Sequence, residues 1–528
     1  MLPILSALIF IPVFGGVATL LTPAKFAKWL ALGLSLVSLA LAGALLANFH
    51  PAMPGYQFTE NRAWLPALNI NYHLGIDGIS LALIALTALL TPLCILTSWH
   101  SVSKNQPGFM AALLILQGAV VGVFSALDFI LFYVFWEAML IPMFLLIGIW
   151  GGENRVYAAL KFFLYTFVGS VLMLVAGLYI YAHAHTFDIT QIPITTMALP
   201  LLTQQFLFWA FFAAFAVKVP MFPFHTWLPD AHVQAPTAGS VILAGVLLKL
   251  GTYGFLRFSL PFFPEAALTL SPYIFALSGF AVVYAALVAY AQTDIKKLIA
   301  YSSVSHMGLV TLGIFAGTEA ALHGGLLVML NHGIVSAGLF LAVGSIYERL
   351  HTRELKNFGG LVVPMPRYAF VVMVLTLAAV ALPGTNSFVG EFLALAGAWP
   401  VAPWATAAAT TGAVFGALYM LWLYRKMVFG TPGPNVQKHL KELPDIGARE
   451  WVIFTPLLVL IVVLGVYPAL AMNLWAQPVK VLSELSATTI QKHAIPAVAA
   501  PSPTIVVSPT VVVSGTAPVS TTVTEGHK

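Results

Sequence analysis

The chain has 528 residues, of which 60% are hydrophobic and only 8% charged, with a formal net charge of +5. Soluble domains carry about 25% charged residues, so a mean hydropathy of +0.94 excludes a soluble enzyme and points to a chain made almost entirely of membrane helices. The small basic excess lies in loops between apolar runs and implies no nucleic-acid partner. The single cysteine, Cys94, sits inside an apolar run, where it reads as a small buried hydrophobe. One cysteine cannot close an internal disulfide or hold an iron–sulfur cluster. The chain carries no GxGxxG after a strand and no GxxxxGK[ST], so no nucleotide or flavin site is expected.

Taken in order, the apolar runs predict about fourteen transmembrane helices: 2–21, 29–48, 78–99, 109–126, 129–150, 156–182, 204–226, 236–258, 271–293, 296–316, 321–347, 367–390, 404–428 and 451–474. Each can cross a hydrocarbon core of roughly 30 Å. None alternates polar and apolar residues as a barrel strand does. The first run, MLPILSALIFIPVFGGVATLL, lacks a basic start and a small-residue cleavage site, and reads as a spanning helix rather than a secretory signal. Lysine and arginine concentrate in loops after odd-numbered segments, among them Lys25, Lys104, Arg155, Lys296, Arg353 and Arg425. Loops after even-numbered segments hold little beyond Arg62 and Arg257. By the positive-inside rule both termini lie outside, on the periplasmic side of a bacterial inner membrane. From about residue 495 to 528, Pro, Ser, Thr and Val replace the helical pattern, which reads as a disordered low-complexity tail.

A repeat is visible at an offset of 166 residues, where Asp128 matches Asp294, Gly151 matches Gly317, Glu153 matches Glu319 and Ser170 matches Ser336. Segment 5 then aligns with 10, 6 with 11, and 7 with 12. The organisation expected is residues 1–108 as N-terminal helices 1–3, 109–258 as a first repeat (helices 4–8), 271–428 as a second (helices 9–13) and 451–475 as a C-terminal helix. Five-helix units cross an odd number of times, so the second copy is inverted, a common transporter plan. The fold class expected is an all-α integral membrane protein with two inverted five-helix repeats and with the seventh and twelfth helices broken. The breaks are read from Lys218-Val-Pro220-Met-Phe-Pro223-Phe-His225 and from Leu382-Pro383-Gly384-Thr385-Asn386, because proline removes a backbone donor and clashes with the preceding turn. Freed carbonyls at membrane depth must then be met by protein or by a wet cavity.

The candidate functional residues are ionisable groups inside these runs. Glu137 lies in FYVFWEAMLIPM, Lys218 in FFAAFAVKVPMF and Lys249 in VILAGVLLKLGTYG. Such charges are costly in hydrocarbon and are tolerated mainly where they face a polar interior and work there. Glu137 and Lys218 are read as an interacting pair, in which the charge state of one sets the proton affinity of the other. Glu391 closes segment 12 in NSFVGEFLALAGAW as a terminal proton donor or acceptor. His306 in YSSVSHMG and His332 in VMLNHGIVSAG are relay candidates, since histidine titrates near neutral pH. His225, His232 and His323 are weaker ones. Against these stand a protonated structural glutamate, snorkelling lysines and packed histidines. His225 and His232 lack the further ligands a metal centre needs.

The stretches FYVFWEAMLIPMFLLIGIWGGENRVYAALKFFLYT, VKVPMFPFHTWLPDAHVQAPTAGSVILAGVLLKLGTYG, QTDIKKLIAYSSVSHMG and LNHGIVSAGLF closely resemble the subunit M family of proton-pumping NADH–quinone oxidoreductase (respiratory complex I), an antiporter-like family. The resemblance spans about residues 1–475. It implies fourteen helices with two inverted repeats. It matches Glu137, Lys218, Lys249 and Glu391 to the family's buried charges on helices 5, 7, 8 and 12. Sister subunits L and N tend to carry lysine at the last position, so glutamate there favours the M branch. The resemblance further implies that NADH, FMN, iron–sulfur clusters and quinone reside in partner subunits, with no cofactor in this chain, and that the partners are other membrane subunits of the complex, L and N especially. Quinone reduction elsewhere would open or close the Glu137–Lys218 pair, shift the proton affinity of Lys218 and move a proton through Lys249 and the histidines to Glu391. Two other readings remain open at this point: a subunit of a multisubunit sodium/proton antiporter, and a scaffold subunit that pumps nothing.

Overall fold

A computed structural model describes residues 3–440 and 442–494, so the tail expectation for 495–528 lies outside the described residues. The chain is an all-α membrane protein in which helices pack on helices. In chain order the main elements are α1 (Ile4–Leu20), α2 (Ala24–Asn48), a hairpin of β1 (Gln57–Leu65) and β2 (Ile70–Ile76), α3 (Gly78–Ser101), α4 (Gln106–Ser125), α5 (Phe129–Trp150), α6 (Arg155–Ala184), α7 (Leu201–Lys218), α8 (Trp227–Gln234), α9 (Thr237–Phe262), α10 (Pro264–Tyr290), α11 (Ile295–Ala316), α12 (Glu319–Leu350), α13 (Pro366–Ala379), α14 (Asn386–Ala398), α15 (Pro403–Val428), α16 (Ala448–Val466) and α17 (Ala476–Ala494). Among the described residues twelve helices are long and apolar enough to cross a membrane, and α1 and α13 are shorter apolar helices. The expected fourteen is reached only by counting those two.

Both breaks are present. α7 ends at Lys218 and α8 begins at Trp227, whose indole Nε1 donates to the Val217 carbonyl at 2.9 Å and satisfies one of the orphaned acceptors. α13 and α14 are separated by a turn in which Gly384 takes φ +92°, a left-handed conformation that glycine adopts without strain. A third interruption was not foreseen. α5 breaks at Met139, between stretches Phe129–Ala138 and Leu140–Trp150. Its cause is Pro142, whose ring clashes with the carbonyl four residues back, and it falls beside Glu137.

The 166-residue offset recurs in local geometry. Asp128 caps α5, its carboxylate accepting from the Ile130 and Leu131 amides at 2.9 and 3.1 Å, and Asp294 caps α11, accepting from Lys296 and Lys297 at 2.7 and 3.2 Å. The Phe129 amide donates to Phe187 and the Ile295 amide to Arg353, while Ile189 donates to Leu127 and Leu355 to Thr293. His185 and His351, both left-handed at φ +54° and +48°, close the matching helices α6 and α12.

Several sequence expectations need correction. The sequence predicts no element over residues 49–77, and the structure puts the β1–β2 hairpin there; Asp128 Oδ2 accepts from the Asn71 amide on β2 at 3.0 Å. Segment 9 begins at Pro264 rather than 271, because proline at the first helical turn starts a helix without loss. The last spanning helix stops at Val466, and α17 follows it as an amphipathic helix packed against α10, α12 and α3. Lys296, read as a loop charge, is buried, and Arg257, read likewise, is largely enclosed, since each has found polar partners inside the bundle.

Candidate functional site

Helix α9 runs through the middle of the bundle with every residue of its apolar window buried. Lys249 lies between two π-helical stretches, Leu243–Leu247 and Phe255–Ser259. Such widened turns misalign backbone groups and recur at functional sites. Lys249 is fully buried, and its Nζ donates to the Ala244 carbonyl at 2.6 Å and lies 2.7 Å from His332 Nδ1 on α12. The His332 ring stands 5.6 Å, centroid to centroid, from that of His306 on α11. His306 Nε2 is 3.6 Å from Glu391 Oε1 on α14, and His306 Nδ1 meets the Ser302 carbonyl at 2.7 Å. Four residues read separately from the sequence therefore form one contiguous row across α9, α12, α11 and α14. A cavity of about 20 Å³, room for a single water, touches His332, His306 and Glu391 together. Another of about 30 Å³ lies on the far side of Glu391, against Tyr419.

Glu391 does not close its helix, as its sequence position had implied. α14 continues to Ala398, which places Glu391 inside the half-helix after the break. That half-helix is drawn close to α12 by glycines: a Cβ on Gly324 would lie 2.1 Å from the Ala394 amide nitrogen, and one on Gly397 2.3 Å from that of Ala321. The break itself is satisfied by Asn331, one residue before His332. Its side-chain amide donates to the Asn386 carbonyl, and Asn386 Nδ2 donates back to Asn331 Oδ1 at 3.1 Å. Sequence reading passed over Asn331, although its place between an apolar run and His332 was a usable signal.

Glu137 and Lys218 are arranged differently. Lys218 is 1% exposed, and among the described residues its Nζ has no hydrogen-bond partner; neither has Glu137 Oε1. The ammonium sits over the rings of Trp136 and Phe162, 5.4 Å from each centroid, a cation–π environment. The hydroxyls of Ser170 and Tyr133 approach the Glu137 carboxyl, and Lys218 reaches it only through space. The expected pair is thus neighbouring but not closed, because the α5 break and the aromatic rings hold the two groups apart. Lys161 on α6, also unremarked in the sequence, ties that helix to Asp230 on α8 at 2.7 Å.

A polar vestibule of about 930 Å³ opens at the start of α9, lined by Pro236, Thr237, Gln234, Glu348, Arg353 and Lys296 among others. At its floor Lys296 Nζ donates to the Ala235 carbonyl at 2.8 Å and to Ser240 Oγ at 3.4 Å. The fully buried ring of His232 lies near this point, stacked on Phe340 with both nitrogens unpartnered. His225 is buried too, against Tyr284 and Tyr301. His323 instead accepts from the Trp475 indole at 3.2 Å and anchors the segment leading into α17.

The family described as NADH:quinone oxidoreductase/Mrp antiporter, TM, matches residues 126–416, and that described as NADH-ubiquinone oxidoreductase chain 4, amino terminus, matches 19–122. The NADH-quinone oxidoreductase subunit M of Rhodobacter capsulatus is 54% identical over 463 residues, 85% of this chain and 88% of its own length. Among solved structures, a chain of respiratory complex I from Thermus thermophilus, with bound NADH, is similar with a TM-score of 0.84 and 31% identity over 92% of this chain and 99% of its own. A chain of the Mrp complex from a Dietzia species shares the fold, with a TM-score of 0.77 and 22% identity over 93% of this chain and 56% of its own. The chain belongs to the NADH:quinone oxidoreductase/Mrp antiporter family of membrane proteins, on the branch of NADH-quinone oxidoreductase subunit M.

Proposed function

We propose that this chain is a proton-translocating, antiporter-like membrane subunit of NADH–quinone oxidoreductase, moving protons across the membrane while NADH oxidation and quinone reduction proceed in partner subunits. The observation that carries the reading is the contiguous row Lys249–His332–His306–Glu391. Proton transfer needs donor and acceptor within hydrogen-bond reach or one water apart, and the row meets that condition with separations of 2.7 and 3.6 Å at its two ends and a shared cavity at the ring pair. Glu137 and Lys218 act upstream as a switch. When the two approach, each favours the charged form of the other; when they part, burial favours the neutral forms.

In this reading residues 109–258 and 271–428 are inverted repeats, supported by the matched aspartate caps at Asp128 and Asp294 and the matched strand-like bridges beside them. Both termini lie on the outer side of a bacterial inner membrane. NADH, FMN, the iron–sulfur clusters and quinone belong to other subunits, and the neighbours in the membrane are the antiporter-like subunits L and N. Glu391, in place of the lysine those sisters tend to carry, supports the M position over the L and N positions.

The test is the assembled complex in sealed vesicles, with NADH-driven acidification measured per NADH oxidised. Glu137→Ala and Lys218→Ala should each lower the protons moved. Full coupled pumping in both assembled variants would overturn the proton path and leave a scaffold. Purification of the chain without any flavin- and iron–sulfur-bearing partner would favour the antiporter instead.

A further inference from the structure

Arg257 lies eight residues beyond Lys249 on α9, about 12 Å along the axis at 1.5 Å per residue, at the end away from the vestibule. Its guanidinium is enclosed. Nη2 donates to Asp77 Oδ2 at 2.8 Å and to Ser80 Oγ at 3.3 Å, Nη1 to the Tyr56 hydroxyl at 2.9 Å, and Nε to the Tyr253 hydroxyl at 3.2 Å. The Tyr56 and Tyr253 rings both lie 5.1 Å from the guanidinium carbon. The Tyr253 hydroxyl donates a hydrogen bond to the Phe124 carbonyl at 3.1 Å, and Asp77 also caps α3 through the Ser80 amide. Burial pushes the Tyr56 phenol up to about 12 against the pull of Arg257, so it remains a hydroxyl. Beside this cluster α9 packs on α7 through the rings of Phe211, Phe215, Phe255 and Phe258, each 0% exposed.

We propose that Arg257, fixed by Asp77, Tyr56 and Tyr253, is a stopper that closes the far end of α9 to protons, so that a proton on Lys249 can leave only sideways to His332. The inference rests on the proton row proposed above. A proton wire needs groups that accept on one side and donate on the other. A guanidinium has five donors and no acceptor, and here it donates to the Tyr253, Tyr56 and Ser80 hydroxyls, so one lone pair of each points at Arg257. A proton arriving there meets hydroxyls that already accept from the guanidinium, and a fixed positive charge, the same device by which arginines exclude protons from pores. Asp77 stabilises that charge in the bundle, where an unpaired guanidinium would be strongly unfavourable.

The test uses the whole complex in sealed proteoliposomes without NADH. A pH gradient is imposed and passive proton uptake is followed. Arg257→Gln should raise the leak several-fold and lower the gradient held per NADH oxidised. Arg257→Lys, still a cation without an acceptor, should restore most of the seal. Asp77→Asn, which keeps the guanidinium but removes its counter-charge, should leak to an intermediate degree. Adding Lys249→Met to Arg257→Gln should return the leak to its original level, because the leaking proton passes through that amine. An assembled Arg257→Gln complex, or an assembled Asp77→Asn complex if the first does not assemble, that is as tight as the unaltered one would overturn the stopper. So would a leak that survives the added Lys249→Met. Lys249→Met alone reports on the underlying row: unimpaired pumping in that variant would overturn the row itself, whereas lost pumping together with a tight Arg257→Gln complex would overturn only the stopper.

Discussion

The two halves of the site are built on opposite plans. On α9, α12, α11 and α14 the ionisable groups touch in sequence, from Lys249 to Glu391, with polar partners and a cavity at the ring pair. On α5 and α7, Glu137 and Lys218 stand apart, with the ammonium resting on Trp136 and Phe162 and no closed bond between them. A wired row moves a proton readily but cannot decide when to do so. A separated pair transfers poorly, yet its state depends on a small displacement, which is what a switch driven from elsewhere requires. The helix breaks agree with this division. The α13–α14 break is locked by the Asn331–Asn386 exchange, whereas the α5 break at Met139 lies beside Glu137 with no such side-chain tie among the described residues.

The sharpest way to break the comparison is Lys249→Met, which removes the first member of the row while keeping much of its volume. Positioned proton donors and acceptors contribute about 10²–10⁴-fold, so proton transfer through this subunit should fall on the order of a hundredfold or more, read as acidification per NADH oxidised. A second change attacks the scaffold of the row. Gly324→Val would force side-chain atoms against the α14 backbone, 2.1 Å from the Ala394 amide already at Cβ. Overpacking of this kind costs roughly 1–3 kcal/mol, and the assembled complex should melt at a lower temperature.

The comparison is sharpened by double-mutant cycles on pumping. Lys249/His332, in contact, should show an interaction energy toward the upper part of the usual range of about 0.5–3 kcal/mol, and Glu137/Lys218, not in contact, toward its lower end. Equal couplings would remove the distinction between wire and switch.

The smallest effect concerns the hairpin side, outside the spans. Burial pushes the Asp188 carboxyl up, but His73 at 3.3 Å and the hydroxyl and amide of Thr190 bring it net below the ordinary carboxylate value. A depressed value means that Asp188 stabilises the fold above the unfolded pKa of about 3.9, and that this contribution is lost as the pH falls below it. Protection of the Ile189 and Thr190 amides against hydrogen exchange, corrected for intrinsic rates, should drop in that window. Asp188→Asn should abolish the pH dependence of that drop.

The sequence by itself determined the membrane class, most of the spans and two of the three breaks, because hydropathy and proline act locally and need no partner. It also singled out Glu137, Lys218, Lys249, His306, His332 and Glu391, because an ionisable group inside an apolar run is anomalous wherever the run ends up. It was silent on the β1–β2 hairpin, whose strands mix polar and apolar residues and are far shorter than a span, and on α17, whose amphipathic pattern lacks the continuous hydropathy of a span. Only the tertiary structure decided which of those six residues meet. Contacts across 83 positions, as between Lys249 and His332, depend on which faces of four helices converge, and that is set by glycine-scale packing such as Gly324 against Ala394. The burial of Lys296 and the enclosure of Arg257 were likewise invisible, since a cation beside an apolar run looks the same whether water or a set of acceptors inside the bundle receives it.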